Sequence, residues 1–241
     1  MEINNHYLKN YYNNGFFKIE GWPHNNIPHV VDMLESSGIN SAGGGVCEIG
    51  VHHGKLYMAL NCLVDKKTEP SFAVDVFDDQ HLNIDRSGKG SVEIFKENLK
   101  NLDKFFGENT KIIKGDSTDS SVDLVKQIGL GTMRYVSIDG GHTAEHTIND
   151  LQIANQIVKN DGVVLLDDMC HPSWVGVTEG AVKYLMQTPT LVPFSIACDK
   201  LWLCKLSYYK KYFDFVCNSD IYKRKPWVTK FVGHEVAVLH Y

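Results

Sequence analysis

No apolar run in these 241 residues approaches the roughly 20 that a bilayer-spanning helix requires. The opening stretch, MEINNHYLKN, also lacks the basic and apolar regions of a secretory leader, so the expectation is a soluble, cytoplasmic protein with no membrane partner. There is no surplus of positive charge. Lys and Arg number 24 against 29 Asp and Glu, a formal charge of −5, which argues against a nucleic-acid partner. None of the six cysteines forms a CxxC pair, and Cys47 and Cys204 lie in apolar segments, as free thiols in a reducing compartment would. Repeats and low-complexity tracts are absent too. With 43% hydrophobic and 22% charged residues, disorder, collagen and coiled coil are excluded, and one globular domain over residues 1–241 is expected.

What the sequence does contain is alternation. Short apolar runs at Val46–Ile49, Phe72–Phe77, Lys111–Ile113, Tyr135–Ile138 and Val163–Leu166 read as buried strands. Helix-length stretches separate them at Leu56–Val64, Val92–Phe105, Ser121–Ile128 and Ala144–Val158. Strands alternating with helices predict a parallel sheet covered on both faces. Leu191–Ala197 and Leu201–Leu206 are joined by only Cys198, Asp199 and Lys200, a connection that permits only an antiparallel hairpin. The expected fold is therefore α/β, a Rossmann-like doubly wound sheet of seven strands, mostly parallel, with one antiparallel strand near the C-terminal edge. Ligands should lie beyond the carboxyl ends of its first strands.

Residues 1–42 and 207–241 flank this 43–206 core and are rich in aromatics, among them Tyr11, Tyr12, Phe16, Phe17 and Trp22 in front and Tyr208, Tyr209, Tyr212, Phe213, Phe215, Trp227 and Phe231 behind. The simplest expectation is that they pack on the flanking helices or on a second subunit of a homo-oligomer. The sharper one is that the front segment lids an acceptor pocket.

The strand ends carry the chemistry. The first ends Glu48-Ile49-Gly50 and continues through His52 and His53 to Gly54, a turn whose glycines admit close approach of a ligand. A carboxylate beside it is wrong for pyrophosphate and right for a cationic ligand. Asp75 ends the second strand 27 residues after Glu48, where this architecture keeps an acid for a ribose diol; a strand-end cap is its structural alternative. Asp116-Ser117 follows the third strand, placed either to read an adenine edge or as an ordinary turn. Asp139 and His142 follow the fourth, and Asp167-Asp168 the fifth. Carboxylates converging on one volume repel, and a divalent cation keeps them ionised; oxygen ligands suit Mg²⁺ or Mn²⁺.

In these motifs the sequence resembles the class I S-adenosylmethionine-dependent methyltransferases, and within them the metal-dependent small-molecule and sugar O-methyltransferases of macrocin and cephalosporin biosynthesis, over roughly residues 43–206. Glu48 departs from the Asp common in other branches. The resemblance implies a cofactor site at Glu48, Gly50, His53, Gly54, Asp75, Val76, Asp116, Ser117 and Asp139. It implies a metal held by Asp139, Asp167 and Asp168, with Asp139 and His142 as catalytic residues. His142, with an ordinary pKa of about 6.5, is the candidate base for a weakly acidic hydroxyl; His52, His53 and His171 are other residues expected near the pocket.

Two more segments are placed to shape an acceptor site. Residues 78–91 make a polar loop, long for a βα connection, that reads as a flap or as solvated chain. Trp174 offers a stacking face for a sugar or serves the core. The expected acceptor is a sugar or glycan hydroxyl; a phenolic or catechol-like acceptor, a non-catalytic scaffold and, more distantly, a dehydrogenase are the competing readings.

Overall fold

A computed structural model describes residues 2–102, 108–187, 190–219 and 225–239. The strands are β1 Gly45–Ile49, β2 Ser71–Asp75, β3 Thr110–Lys114, β4 Met133–Ile138, β5 Val158–Leu166, β6 Leu191–Ala197, β7 Lys200–Lys205, β8 Trp227–Phe231 and β9 His234–Val238. They form one sheet in the order β3-β2-β1-β4-β5-β7-β6-β9-β8. The helices are α1 His6–Tyr11, α2 Ile27–Ser36, α3 Lys55–Asn61, α4 Val92–Leu102, α5 Leu124–Ile128, α6 Ala144–Ile157, α7 Val175–Gln187 and α8 Leu206–Asn218, with a π-helical turn at Tyr12–Phe16. No helix among the described residues is long and apolar enough to cross a membrane.

The expected central strands are all present, and the chain order reverses at β1, with β2 on one side and β4 on the other, all parallel. That reversal opens a crevice at the carboxyl ends of β1 and β4. Strand residues alternate between two cores. Val163 and Leu165 join one cluster with Phe16, Val31, Tyr57 and Tyr212, whereas Val164 and Leu166 join the other with Leu151, Ala154, Val177 and Tyr184. Both faces of the sheet are thus apolar, and each needs helices to cover it.

Two expectations need correction. Among the described residues the sheet has nine strands, not seven, and two of them run against the rest. One is β7, antiparallel to β5 and β6; the other is β8, antiparallel to β9, which itself runs parallel to β6. The C-terminal aromatics disguised this pair as surface packing, because Trp227 and Val228 lie on the exposed edge strand. Helix α5 starts at Leu124, not Ser121, where the Asp123 carboxylate accepts from the Lys126 N–H and caps it. The expected Val92–Phe105 helix is seen to Leu102, and residues 103–105 lie outside the described residues.

The N-terminal segment packs on the flanking helix α3, with Leu8, Tyr11, Phe16, Ile27, Val30 and Val31 buried in the first cluster and the Tyr11 hydroxyl donating to the Lys55 carbonyl at 2.8 Å. Asp32 anchors the extreme front by accepting from the Asn4 and Asn5 N–H groups.

Candidate active site

The carboxyl ends of β1, β2, β3, β4 and β5 meet in one cavity of about 550 Å³, within the range of small-molecule sites. Its floor is the β1–α3 turn. Gly50 has φ +86, and a Cβ there would lie 1.8 Å from the Asp139 carbonyl oxygen, so this glycine is required by the β1–β4 junction as well as by any ligand. Gly54, at φ +90, begins α3 and would strike Phe95.

Asp75 borders the cavity and ties the floor together, its Oδ2 accepting from the His52 N–H at 2.7 Å and its Oδ1 from the Phe77 N–H at 2.5 Å. Burial pushes its carboxyl up, against the pull of those bonds. Val76, Asp116 and Ser117 are on the same wall. Asp116 accepts from the Thr118 N–H at 2.8 Å and hydroxyl at 2.7 Å, and Asn149 fixes the Ser117 carbonyl at 2.9 Å. Glu48 and His53 stand elsewhere than expected: both are buried behind the wall, not on it. Burial and the neighbouring Asp139 hold the Glu48 carboxyl well above the usual range, and its Oε2 has no hydrogen-bond partner. The His53 imidazole lies 3.3 Å from Glu20.

Across the crevice, one donor atom each from Asp139, His142 and Asp168 lies within 4.8 Å of the others. His142 Nε2 is 2.9 Å from Asp168 Oδ2 and 3.9 Å from Asp139 Oδ1. Asp168 reaches this point because its backbone turns into the left-handed region, φ +56, right after β5. Asp167 also lines the cavity, its carboxyl lying against that of Asp139 and 2.5 Å from Lys200 Nζ. All three expected acids thus border one cavity.

Two residues that no sequence pattern singled out complete the site. Asp85, from the 78–91 loop, accepts from the His142 N–H at 2.8 Å and lies 2.7 Å from its Nδ1. Burial alone would depress the His142 pKa, but the carboxylates of Asp139, Asp168 and Asp85 overcome it and push the ring up to about 11. The ring stands among three carboxylates, with Asp85 at Nδ1 and Asp168 and Asp139 on the Nε2 side. The second missed residue, Lys200, sat in what looked like a hairpin turn and is the first residue of β7.

Gln80, Leu82, Asn83, Asp85, Ser87 and Gly88 of the 78–91 loop line the cavity, while Asp78, His81, Ile84, Arg86 and Lys89 are exposed. Trp22 and His24 of the front segment also line it, together with His52 and His171. Trp174 is stacked on His142 with ring centroids 4.3 Å apart, so one of its faces is already taken.

Residues 47–169, just over half the chain, match the family model described as "Methyltransferase domain". The chain belongs to this methyltransferase family. No curated protein sequence matches the methyltransferase. Its fold is shared with the O-methyltransferase NovP, at 18% identity and TM-score 0.58, covering 74% of this chain and 80% of NovP. Apo CalS11, a TDP-rhamnose 3'-O-methyltransferase of calicheamicin biosynthesis, follows at 17% identity and TM-score 0.55, covering 73% and 78%. MycE, from the mycinamycin pathway and solved with Mg, SAH and mycinamycin VI, gives 17% identity and TM-score 0.52 over 80% of this chain and 53% of MycE. The class I methyltransferase fold expected from the sequence is thereby established.

Proposed function

We propose that this methyltransferase moves the methyl group of S-adenosylmethionine to a hydroxyl of a sugar or glycan, using Mg²⁺ or Mn²⁺ held by Asp139 and Asp168. One observation carries the reading: a glycine-floored half bearing Asp75 and Asp116 and a half bearing Asp139, His142 and Asp168 share a single cavity.

The residues present fit both absent groups. For the cofactor, Gly50, Gly90 and Gly115 leave backbone bare along the wall, and the surrounding carboxylates suit a ligand carrying sulfonium and ammonium charge. For the metal, two carboxylates with open space beside them are what Mg²⁺ accepts while keeping positions for water or substrate oxygens. When bound there, the cation supplies Lewis acidity to an acceptor hydroxyl and takes over the carboxylate charge that raises the His142 pKa.

The chain's own residues do the rest. Asp75 ties the β1–α3 turn to the end of β2 by accepting from the His52 and Phe77 N–H groups, and offers its remaining lone pairs to a diol. Asp85 orients the His142 ring through Nδ1, which leaves Nε2 as the atom that takes the acceptor's proton. Trp174 steadies the same ring from its flat side. The 78–91 loop and Trp22 cover the crevice and exclude water.

A hydroxylated, uncharged acceptor is supported by the wall itself, which among the described residues carries seven aspartates and neither Lys nor Arg. CalS11, a TDP-rhamnose 3'-O-methyltransferase, supports a sugar hydroxyl as the group methylated. Purified protein incubated with labelled S-adenosylmethionine and neutral glycans should transfer label in the presence of Mg²⁺ and stop in EDTA, while cofactor binding by calorimetry persists. Folded protein that binds no S-adenosylmethionine would overturn the reading.

A further inference from the structure

The cavity wall is a row of strand ends in sheet order, and all but β1 contribute an aspartate. Asp116 follows β3, Asp75 ends β2, Asp139 follows β4, and Asp167 and Asp168 follow β5. Asp199 stands one strand further, at the tip of the β6–β7 hairpin, where β7 lies beside β5. Along this row the glycine-floored half comes first and Asp199 last, beyond Asp139 and Asp168. It therefore borders the acceptor half of the crevice.

The other aspartates of the wall are engaged. Asp75 and Asp116 accept from backbone N–H groups, Asp167 meets Lys200 Nζ, and Asp85, Asp139 and Asp168 surround His142. Asp199 is exposed, and among the described residues its carboxylate has no hydrogen-bond or ion-pair partner. No Lys or Arg of the described residues lines the cavity to balance it; Arg86 and Lys89 of the 78–91 loop are exposed and off the wall.

Its place is nonetheless fixed. Cys198 and Asp199 fill a two-residue turn with φ +55 and +62, a left-handed conformation that Asp and Asn tolerate better than most side chains. Lys200 pairs with Ala197 to close the turn, and the Asp199 carbonyl accepts from the Met169 N–H at 3.1 Å, which ties the tip to the acidic end of β5. A carboxylate held at one point of a binding wall is organised in advance to accept from a ligand hydroxyl, and it repels a ligand of like charge.

We propose that Asp199 is a specificity-determining residue of the acceptor site, taking a hydroxyl of an unphosphorylated sugar and turning away sugars that carry phosphate; this rests on the sugar reading given above. The chemistry is one-sided. A hydroxyl donates to the carboxylate in a charge-assisted hydrogen bond, whereas an ionised phosphate oxygen has no proton to give and brings a like charge.

Methyl transfer from labelled S-adenosylmethionine, compared between the methyl glycosides and the 1-phosphates of the same common hexoses, tests this. Wild-type protein should favour the glycoside in kcat/KM by about 100-fold or more. Asp199→Asn suits the left-handed turn equally well, so the variant should fold. Its KM for the glycoside should rise about three- to tenfold while kcat falls less, and its preference over the sugar phosphate should shrink about tenfold. Affinity for S-adenosylmethionine, by calorimetry, should stay within about twofold. Added KCl should narrow the wild-type preference as well, because an exposed carboxylate is screened, and that arm needs no variant. A 1-phosphate methylated as well as its glycoside, a preference that KCl leaves untouched, or an Asp199→Asn protein with wild-type KM and preference overturns the proposal. Label in neither acceptor overturns the sugar reading itself.

Discussion

Asp150 shows how a single side chain taxes the fold near the site. It is 1% exposed on α6, with Oδ1 accepting from Asn149 at 3.2 Å and Oδ2 unpartnered. Burial pushes its carboxyl from 3.8 up to about 6. A raised carboxyl favours folding fully only below its unfolded value, and the favour is lost as pH climbs through the folded one. Above pH 6 the ionised group therefore costs ~3 kcal/mol by the usual conversion. Asp150→Asn keeps the Asn149 bond and removes the charge, so Tm at pH 8 should rise by roughly 6–12 °C. Near pH 4 the two proteins should melt together, because wild-type Asp150 is then already neutral. Equal Tm values at pH 8 would show that the burial carries no penalty. Gly50 makes the complementary case: with the Asp139 carbonyl 1.8 Å from any added Cβ, Gly50→Ala should destabilise the fold by about 3 kcal/mol or more in denaturant melts, so lost cofactor binding in that variant reports the β1–β4 junction first.

Among the elements, the 78–91 loop does the least expected work. Its sequence is polar and aperiodic, which hides that Asp85 is the residue clamping His142 to the cavity. The clamp is local: Asp85 also accepts from the Ser87 N–H at 2.8 Å, so the loop's own turn presents the carboxylate. Asp85→Asn removes the negative charge on the Nδ1 side while leaving the cofactor half untouched. Turnover should fall about 10- to 100-fold, as for other partners that orient a ligand or a base. Affinity for S-adenosylmethionine, measured by calorimetry, should stay within about twofold, and the acidic limb of the pH–rate profile should move down, since the ring loses one of the carboxylates that raise its pKa. An unmoved profile would deny Asp85 its orienting role. The sequence made Asp139, His142 and Asp168 legible because strand-end acids follow readable apolar runs, but Asp85 and Lys200 act through a loop and a hairpin tip whose partners are set only by tertiary packing. Strand alternation would have put Asp167 and Asp168 on opposite faces; both reach the cavity because the backbone turns left-handed at Asp168.

For the whole molecule, the front and back segments divide the labour. The back one extends the sheet through β8 and β9, which short apolar runs next to aromatics did not reveal, while the front one does two things at once. Its buried residues seal one sheet face, and Trp22, 72% exposed, stands at the cavity rim with its ring 5.0 Å from that of His52. A large aromatic left in water beside a polar cavity gains its packing only when a ligand ring arrives. Trp22→Ala removes little from the folded core, so Tm should shift by no more than about 1 °C, as is usual for exposed positions. The loss should fall on the acceptor instead. Measured on a glycoside that accepts methyl, KM should rise about three- to tenfold, corresponding to a stacking contribution of ~1 kcal/mol, with kcat and the affinity for S-adenosylmethionine nearly unchanged. That split separates a rim that holds the acceptor from one that merely faces solvent, for which KM would not move; a fall in kcat alone would instead mean that Trp22 acts by closing the crevice against water.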